Sequence, residues 1–178
     1  MYIPLSISIL ALAMGTAAYS GPGWAPQHRG GDHAPHPTCL NDTGVTTLVD
    51  GYTYLLEHPG GADFNSTAQS ILSNTTFVVE SDSILTLSGR AFGQPAYPSK
   101  AVFIATQFET PPLPIVQTLG VFATCDQISW RWNASGIGSN EFEIKGIIVL
   151  DVDVKALQIT AVYSEFNTAA FESDLGVS

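Results

Sequence analysis

Cations are scarce in this chain: its 178 residues carry 6 Lys+Arg against 16 Asp+Glu, a formal net charge of -10. Six basic side chains in an acidic chain do not form a phosphate-neutralising stripe, which argues against nucleic acid as a partner. Charged residues of either sign make up only 12% of the chain, about half of the roughly 25% of an average soluble domain. The shortage does not signal disorder throughout, because such chains pair many charges with few apolar residues and this one is 45% hydrophobic. Also missing is any uninterrupted apolar run long enough to cross ~30 Å of hydrocarbon, so no membrane span is expected. The length fits one domain with its own core, with or without a tail.

Several catalytic signatures are absent too. There is no C-x-x-C pair for redox chemistry, no H-E-x-x-H for zinc, no G-x-S-x-G elbow and no G-x-G-x-x-G or P-loop for nucleotides. Neither a metal nor a cofactor is indicated. Three of the four histidines, His28, His33 and His36, lie near Asp32 in a stretch broken by Pro22, Pro26, Pro35 and Pro37. A loose divalent-metal site there is conceivable, but without fixed geometry a solvated His-bearing linker over residues 21–38 is the better reading. The remaining His58 falls at the end of a helical pattern, an ordinary place for a cation near a helix dipole.

What the chain does contain points to export. Residues 1–20 have no charged side chain, an apolar stretch from about Ile7 to Met14 and small residues after it. That is the pattern of a secretory signal peptide, although its n-region lacks Lys or Arg. Cleavage fits after Ala18 or after Ser20, and a buried N-terminal helix is the alternative reading of the segment. Four N-x-[ST] sequons, at Asn41, Asn65, Asn74 and Asn133, make N-glycosylation of at least one site expected in a secreted chain. A glycan cannot be buried, so Asn133 should face solvent if it is modified. The two cysteines, Cys39 and Cys125, are expected to pair in an oxidising compartment. Their bridge would close a long loop, worth roughly 4 to 5 kcal/mol before native strain is subtracted.

Within residues 39–178 the periodicity predicts helices first and strands afterwards. Val45, Leu48, Val49, Tyr52, Leu55 and Leu56 recur at helical spacing behind a cap at Asp42 or Thr43, and His58-Pro59-Gly60-Gly61 ends that helix. A second helix is expected over about Asn65 to Ser73, a short strand over Thr76 to Glu80, a loop over Ser81 to Tyr97, and a third helix behind Ser99 that stops before Pro111-Pro112. Beyond Pro114 the period changes to two, giving four strands: Ile115 to Thr124, Gln127 to Ser135, Glu141 to Asp153 and Leu157 to Phe166. The order is an α+β pattern with helices on one face of an antiparallel sheet.

The helix over Thr43 to Glu57, the step A-Q-S-I-L-S-N-T-T-F-V-V-E, the P-S-K-A-V-F-I-A helix and the ending L-Q-I-T-A-V-Y-S-E-F-N-T-A-A-F-E-S-D-L-G together resemble the NTF2-like superfamily. That group includes SnoaL-like cyclases, ketosteroid isomerases and scytalone dehydratase. Secreted proteins of filamentous fungi with an NTF2-like domain look most similar, through C-L-N-D and T-C-D-Q-I-S-W-R-W-N. The resemblance implies a cone: three N-terminal helices packed on a curved antiparallel sheet around an internal pocket. It does not imply a reaction, since the fold hosts enzymes and binding modules alike.

Two strands carry the residues of interest. In Gln127 to Ser135 a glycan on Asn133 would turn Trp130 and Trp132 inward, as walls of an apolar pocket or as core packing. In the last strand Tyr163 and Glu165 share the alternation of Ile159 and Ala161. If that face is inward, Glu165 is a carboxylate among apolar groups and a candidate acid or base. Otherwise it lies in water or pairs with Arg131 or Lys145. Tyr52 and Phe103 complete the expected pocket with Trp130, Trp132 and Tyr163. The expected function is a secreted, non-catalytic binder of a small apolar ligand or an interaction scaffold. The alternative is a cyclase, isomerase or dehydratase of the SnoaL type acting on a hydrophobic metabolite, although the histidines of scytalone dehydratase-like catalysis are missing. Homodimerisation through the outer sheet face, common among the relatives, is possible unless a glycan at Asn133 obstructs it.

Overall fold

A computed structural model describes residues 39–177. The expected leader and His-bearing linker lie outside the described residues. The elements run α1 (Asp42–Glu57), α2 (Phe64–Ile71), β1 (Val78–Glu80), α3 (Asp82–Leu87), α4 (Lys100–Gln107), β2 (Ile115–Ala123), β3 (Gln127–Ser135), β4 (Ile144–Asp153), β5 (Gln158–Phe166) and α5 (Thr168–Leu175).

The helices start where the chain offers a polar cap. Asn41 caps α1, its side chain accepting from the N–H of Gly44, one residue earlier than the sequence pattern suggests; Ser99 caps α4 as expected, accepting from Val102. On α1 the apolar stripe turns Leu48, Val49, Tyr52 and Leu55 into the core. Two helices exceed the expected three. The first is α3, inside the segment read as a loop, with Ser81 as its N-cap. The second is α5, opened by Asn167 and closed by Gly176 in the left-handed region at φ 67°.

The five strands form one sheet in the order β1-β5-β4-β3-β2. The pairs from β2 through β5 are antiparallel, and the short β1 lies parallel to β5, so the sheet is mixed rather than wholly antiparallel. Two bulges bend it. Leu119 is an extra residue on β2 between Thr118 and Gly120, and Thr160 is an extra residue on β5 between Ile159 and Ala161. The expected curved α+β fold is therefore the fold found.

On the concave face Ile128, Trp130, Trp132 and Ala134 of β3 pair with Leu150, Ile148, Gly146 and Ile144 of β4. With Leu48, Leu55, Phe64 and Phe103 from the helices, all of these except Gly146 belong to one hydrophobic core. The expected disulfide is present between Cys39, just before α1, and Cys125 in the β2–β3 turn, across a sequence separation of 86. Beside it the Leu40 N–H donates to the Cys125 carbonyl at 2.9 Å, so the start of α1 is tied to the sheet twice.

Candidate functional site

Between the concave face and the helices is a cavity of about 400 Å³, within the size range of small-molecule sites. Its wall is mostly aromatic and aliphatic: Tyr52 and Leu56 from α1, Ile84 and Leu87 from α3, Phe103 from α4, Trp132, Ile144, Ile148 and Phe166 from the sheet, and Phe171 and Leu175 from α5. Two of the helices not anticipated from the sequence thus supply part of the enclosure.

Phe103 organises the helical side. Its ring lies 6.4 Å from Tyr52 and 6.3 Å from Phe64 in stacked orientation, and 5.5 Å from Phe77 and 5.4 Å from Tyr97 edge-on. On the sheet side Trp132 lies 6.2 Å from Phe166, which lies 5.8 Å from Phe171. The Trp132 ring occupies this place because its strand neighbour is Gly146: a Cβ there would stand 2.5 Å from Cζ2 and 2.6 Å from Cε2 of the indole. The Trp132 Nε1 donor is buried without a hydrogen-bond partner.

Among the polar side chains that also line this wall, three are buried. Tyr52, Gln107 and Ser164 are 3%, 4% and 7% exposed, respectively. None of the three side chains has a hydrogen-bond partner among the described residues, and none of their polar atoms is among those fully sealed from solvent. Those atoms are thus left to water or to an occupant of the cavity that the three residues line. Leaving such a group dry and unpaired costs about 1–3 kcal/mol. Burial, reinforced by the neighbouring Tyr97, pushes the Tyr52 phenol well above its ordinary value, so it stays protonated and retains its O–H.

The five residues expected to bind a ligand divide accordingly. Tyr52, Phe103 and Trp132 line the cavity. Trp130 is fully buried behind it, with Nε1 donating to the Thr118 hydroxyl at 3.0 Å; it is core packing. Tyr163 is on the opposite face, 41% exposed, its hydroxyl 3.4 Å from the Asp151 carboxylate. The reason is the bulge at Thr160. Ile159 pairs with inward Val152 while Ala161 pairs with Asp151, so the alternation reverses between them and carries Tyr163 and Glu165 outward.

Glu165 is consequently neither a cavity carboxylate nor the partner of Arg131 or Lys145. It accepts from the backbone N–H of Asp82 at 2.8 Å and from the N–H and hydroxyl of Ser83 at 3.0 and 2.5 Å. A carboxylate from β5 thus satisfies the first free amides of α3, 83 residues away in sequence. Lys145 pairs instead with Glu143 at 2.9 Å on the surface, and that pairing holds the Glu143 carboxyl below its usual range.

Asn133 does not face solvent. It is 6% exposed, and its Nδ2 donates to Glu143 at 3.3 Å. The inward direction of Trp130 and Trp132 therefore follows from the pairing of β3 with β4 and needs no glycan. Asn41, Asn65 and Asn74 are exposed. His58 sits at the C-cap of α1, its ring stacked on Tyr54 at 4.5 Å, and is not part of the cavity wall. Among the described residues no cluster of His, Cys, Asp or Glu is arranged to hold a metal, and no helix is long and apolar enough to cross a membrane.

A helix-flanked curved sheet closing over one apolar cavity is a known architecture. The model of the NTF2-like domain matches residues 38–178, and the chain belongs to that family. No curated protein shows significant similarity to it. Solved structures share the fold at low identity. IdmH from Streptomyces antibioticus, a candidate polyketide cyclase, is 16% identical over 75% of this chain and 99% of its own, with a TM-score of 0.55. A candidate SnoaL-like polyketide cyclase from Shewanella denitrificans OS-217 is 13% identical over 75% and 98%, with a TM-score of 0.52. A de novo designed protein with a curved β-sheet is 8% identical over 78% and 97%, with a TM-score of 0.53. Likeness at this distance is likeness of fold and carries no reaction.

Proposed function

We propose that this is a secreted, N-glycosylated NTF2-like protein that binds a small, mainly apolar ligand in its cavity without transforming it. The observation that carries the reading is the aromatic and aliphatic wall around about 400 Å³ of space. Binding rather than catalysis is supported by the position of Glu165, the one carboxylate that the strand pattern would have put inside, which is engaged by Asp82 and Ser83 at the outside of the sheet. A disulfide and three exposed sequons support an extracellular destination. Recovery of a mature chain starting after Ala18 or Ser20 checks the leader.

Titration with a panel of apolar metabolites tests the site through the indole of Trp132, which lines the cavity. A saturable fluorescence change that is lost in Trp132→Phe is expected. No change with any member of the panel would overturn the reading.

The SnoaL-type alternative now has to draw its acid or base from the two carboxylates that do line the cavity, Glu109 and the half-buried Glu172. Turnover of a hydrophobic metabolite that is abolished in Glu172→Gln would favour it. Homodimerisation through the outer sheet face would rest on Phe122, Ile147 and Tyr163, which are exposed there, and a single monomeric mass by light scattering would exclude it.

A further inference from the structure

We infer that the cavity selects a neutral ligand, an apolar body bearing a hydroxyl or carbonyl group, and rejects the corresponding carboxylate. The inference rests on the cavity reading above and adds the chemistry of the ligand.

Its basis is the inventory of the wall. Besides Trp132, whose unpaired Nε1 is sealed from solvent, the buried polar side chains that line the cavity without protein hydrogen-bond partners are Tyr52 from α1, Gln107 from α4 and Ser164 from β5. They come from three separate elements of the wall that also carries Trp132, Phe103 and Phe166. A phenol, a primary amide and an aliphatic hydroxyl are all uncharged, and together offer O–H and N–H donors and oxygen acceptors. Such a set suits a group that both accepts and donates, or accepts twice, as a ketone or alcohol does.

The charges on the wall point the same way. No Lys, Arg or His is among the lining residues, and the two ionisable acids there, Glu109 and Glu172, are carboxylates. An anionic ligand would give up its water with no cation to replace it. It would also approach a chain whose formal net charge is -10. A buried cation does exist, Lys100, but its Nζ donates to the Leu72 carbonyl at 2.9 Å and it does not line the cavity.

The test is calorimetry with probes on one skeleton: 2-ethylnaphthalene, 2-acetylnaphthalene, 2-naphthamide and 2-naphthoate. On the unmodified protein at pH 7 the ketone and the amide are expected to bind at least about tenfold more tightly than the carboxylate, which needs no variant to establish. Gln107→Leu, Tyr52→Phe and Ser164→Ala, checked for folding by circular dichroism, are then expected to weaken the ketone. In at least one of them its advantage over the hydrocarbon falls about fivefold, the worth of one hydrogen bond, while hydrocarbon affinity holds. Carboxylate binding equal to or tighter than the amide overturns the inference, as does a ketone advantage unchanged in all three variants. Either result leaves the cavity reading standing if the hydrocarbon binds. Failure of all four probes to bind removes the cavity reading and this inference with it.

Discussion

Gly146 lies directly beneath the indole of Trp132, with no room for a Cβ between the strand and the ring. The space also closes on the other side, where the Glu165 carbonyl oxygen would stand 2.8 Å from that Cβ. One absent methyl group thus sets the position of an aromatic ring that lines the cavity.

Gly146→Ala is therefore expected to displace Trp132 or part β4 from β5. Overpacking of this kind costs about 1–3 kcal/mol. Urea denaturation should show the loss, and near-ultraviolet circular dichroism should show an altered tryptophan environment. A variant with unchanged stability and spectrum would contradict the packing described.

Glu165→Gln is expected to destabilise the fold by about 1 kcal/mol, because a neutral amide replaces the carboxylate at the free amides of α3. Ligand affinity in the cavity should stay within about twofold, the side chain being on the outer side. Thermal unfolding and a ligand titration read the two effects separately, and loss of binding without loss of stability would return Glu165 to the site.

Lys100 gives the fold a pH signature. Desolvation lowers its pKa from the ordinary 10.5, so between the lowered value and 10.5 the unfolded chain binds more protons than the native one. Stability should climb with pH through that window. Tyr52 acts oppositely and later: its raised pKa keeps a proton that the unfolded chain loses above 10.0, so its contribution falls as pH rises beyond that point. Urea midpoints across the alkaline range should show the stability of the parent rising relative to Lys100→Met as pH climbs toward 10.5. A constant difference would mean that the ammonium is not desolvated.

The sequons should separate by burial. A glycan is attached through Nδ2, which at Asn133 is buried against Glu143, whereas Asn41 uses only its Oδ1 to cap α1 and can carry a glycan on the other atom. Glycopeptide mapping of secreted protein is expected to find modification among Asn41, Asn65 and Asn74 and none at Asn133. An occupied Asn133 would require the 136–143 segment to lie differently. That segment is held by Asp174, whose Oδ1 accepts from the Ser139 hydroxyl and from the N–H groups of Glu141 and Phe142.

Much of this was written in local pattern. The stripe from Val45 to Leu56, the Ser99 cap and the period-two run from Ile115 onward mark α1, α4 and β2 to β5 because each depends on residues within a few positions of one another. Even α5 had its signals, Asn167 before it and Gly176 after it. The cysteine pair was legible for a different reason, an even count of two in a chain with export signals, whereas the sequence turned Trp132 inward through a glycan on Asn133, which is in fact buried.

What local pattern could not decide was where long-range geometry intervenes. The bulge at Thr160 reverses the face of every later residue on β5, and nothing in the alternation of Ile159, Ala161, Tyr163 and Glu165 marks it. The turn of α3 is completed by a carboxylate from the far end of the chain, so Ser81 to Leu87 read as loop. The sequence by itself determined the order of α1, α2, α4 and the five strands, the disulfide pair and the poverty of cations. Only the tertiary structure decided which of those side chains meet around the cavity, because side-chain direction on a strand depends on register, and register is set by partners distant in sequence.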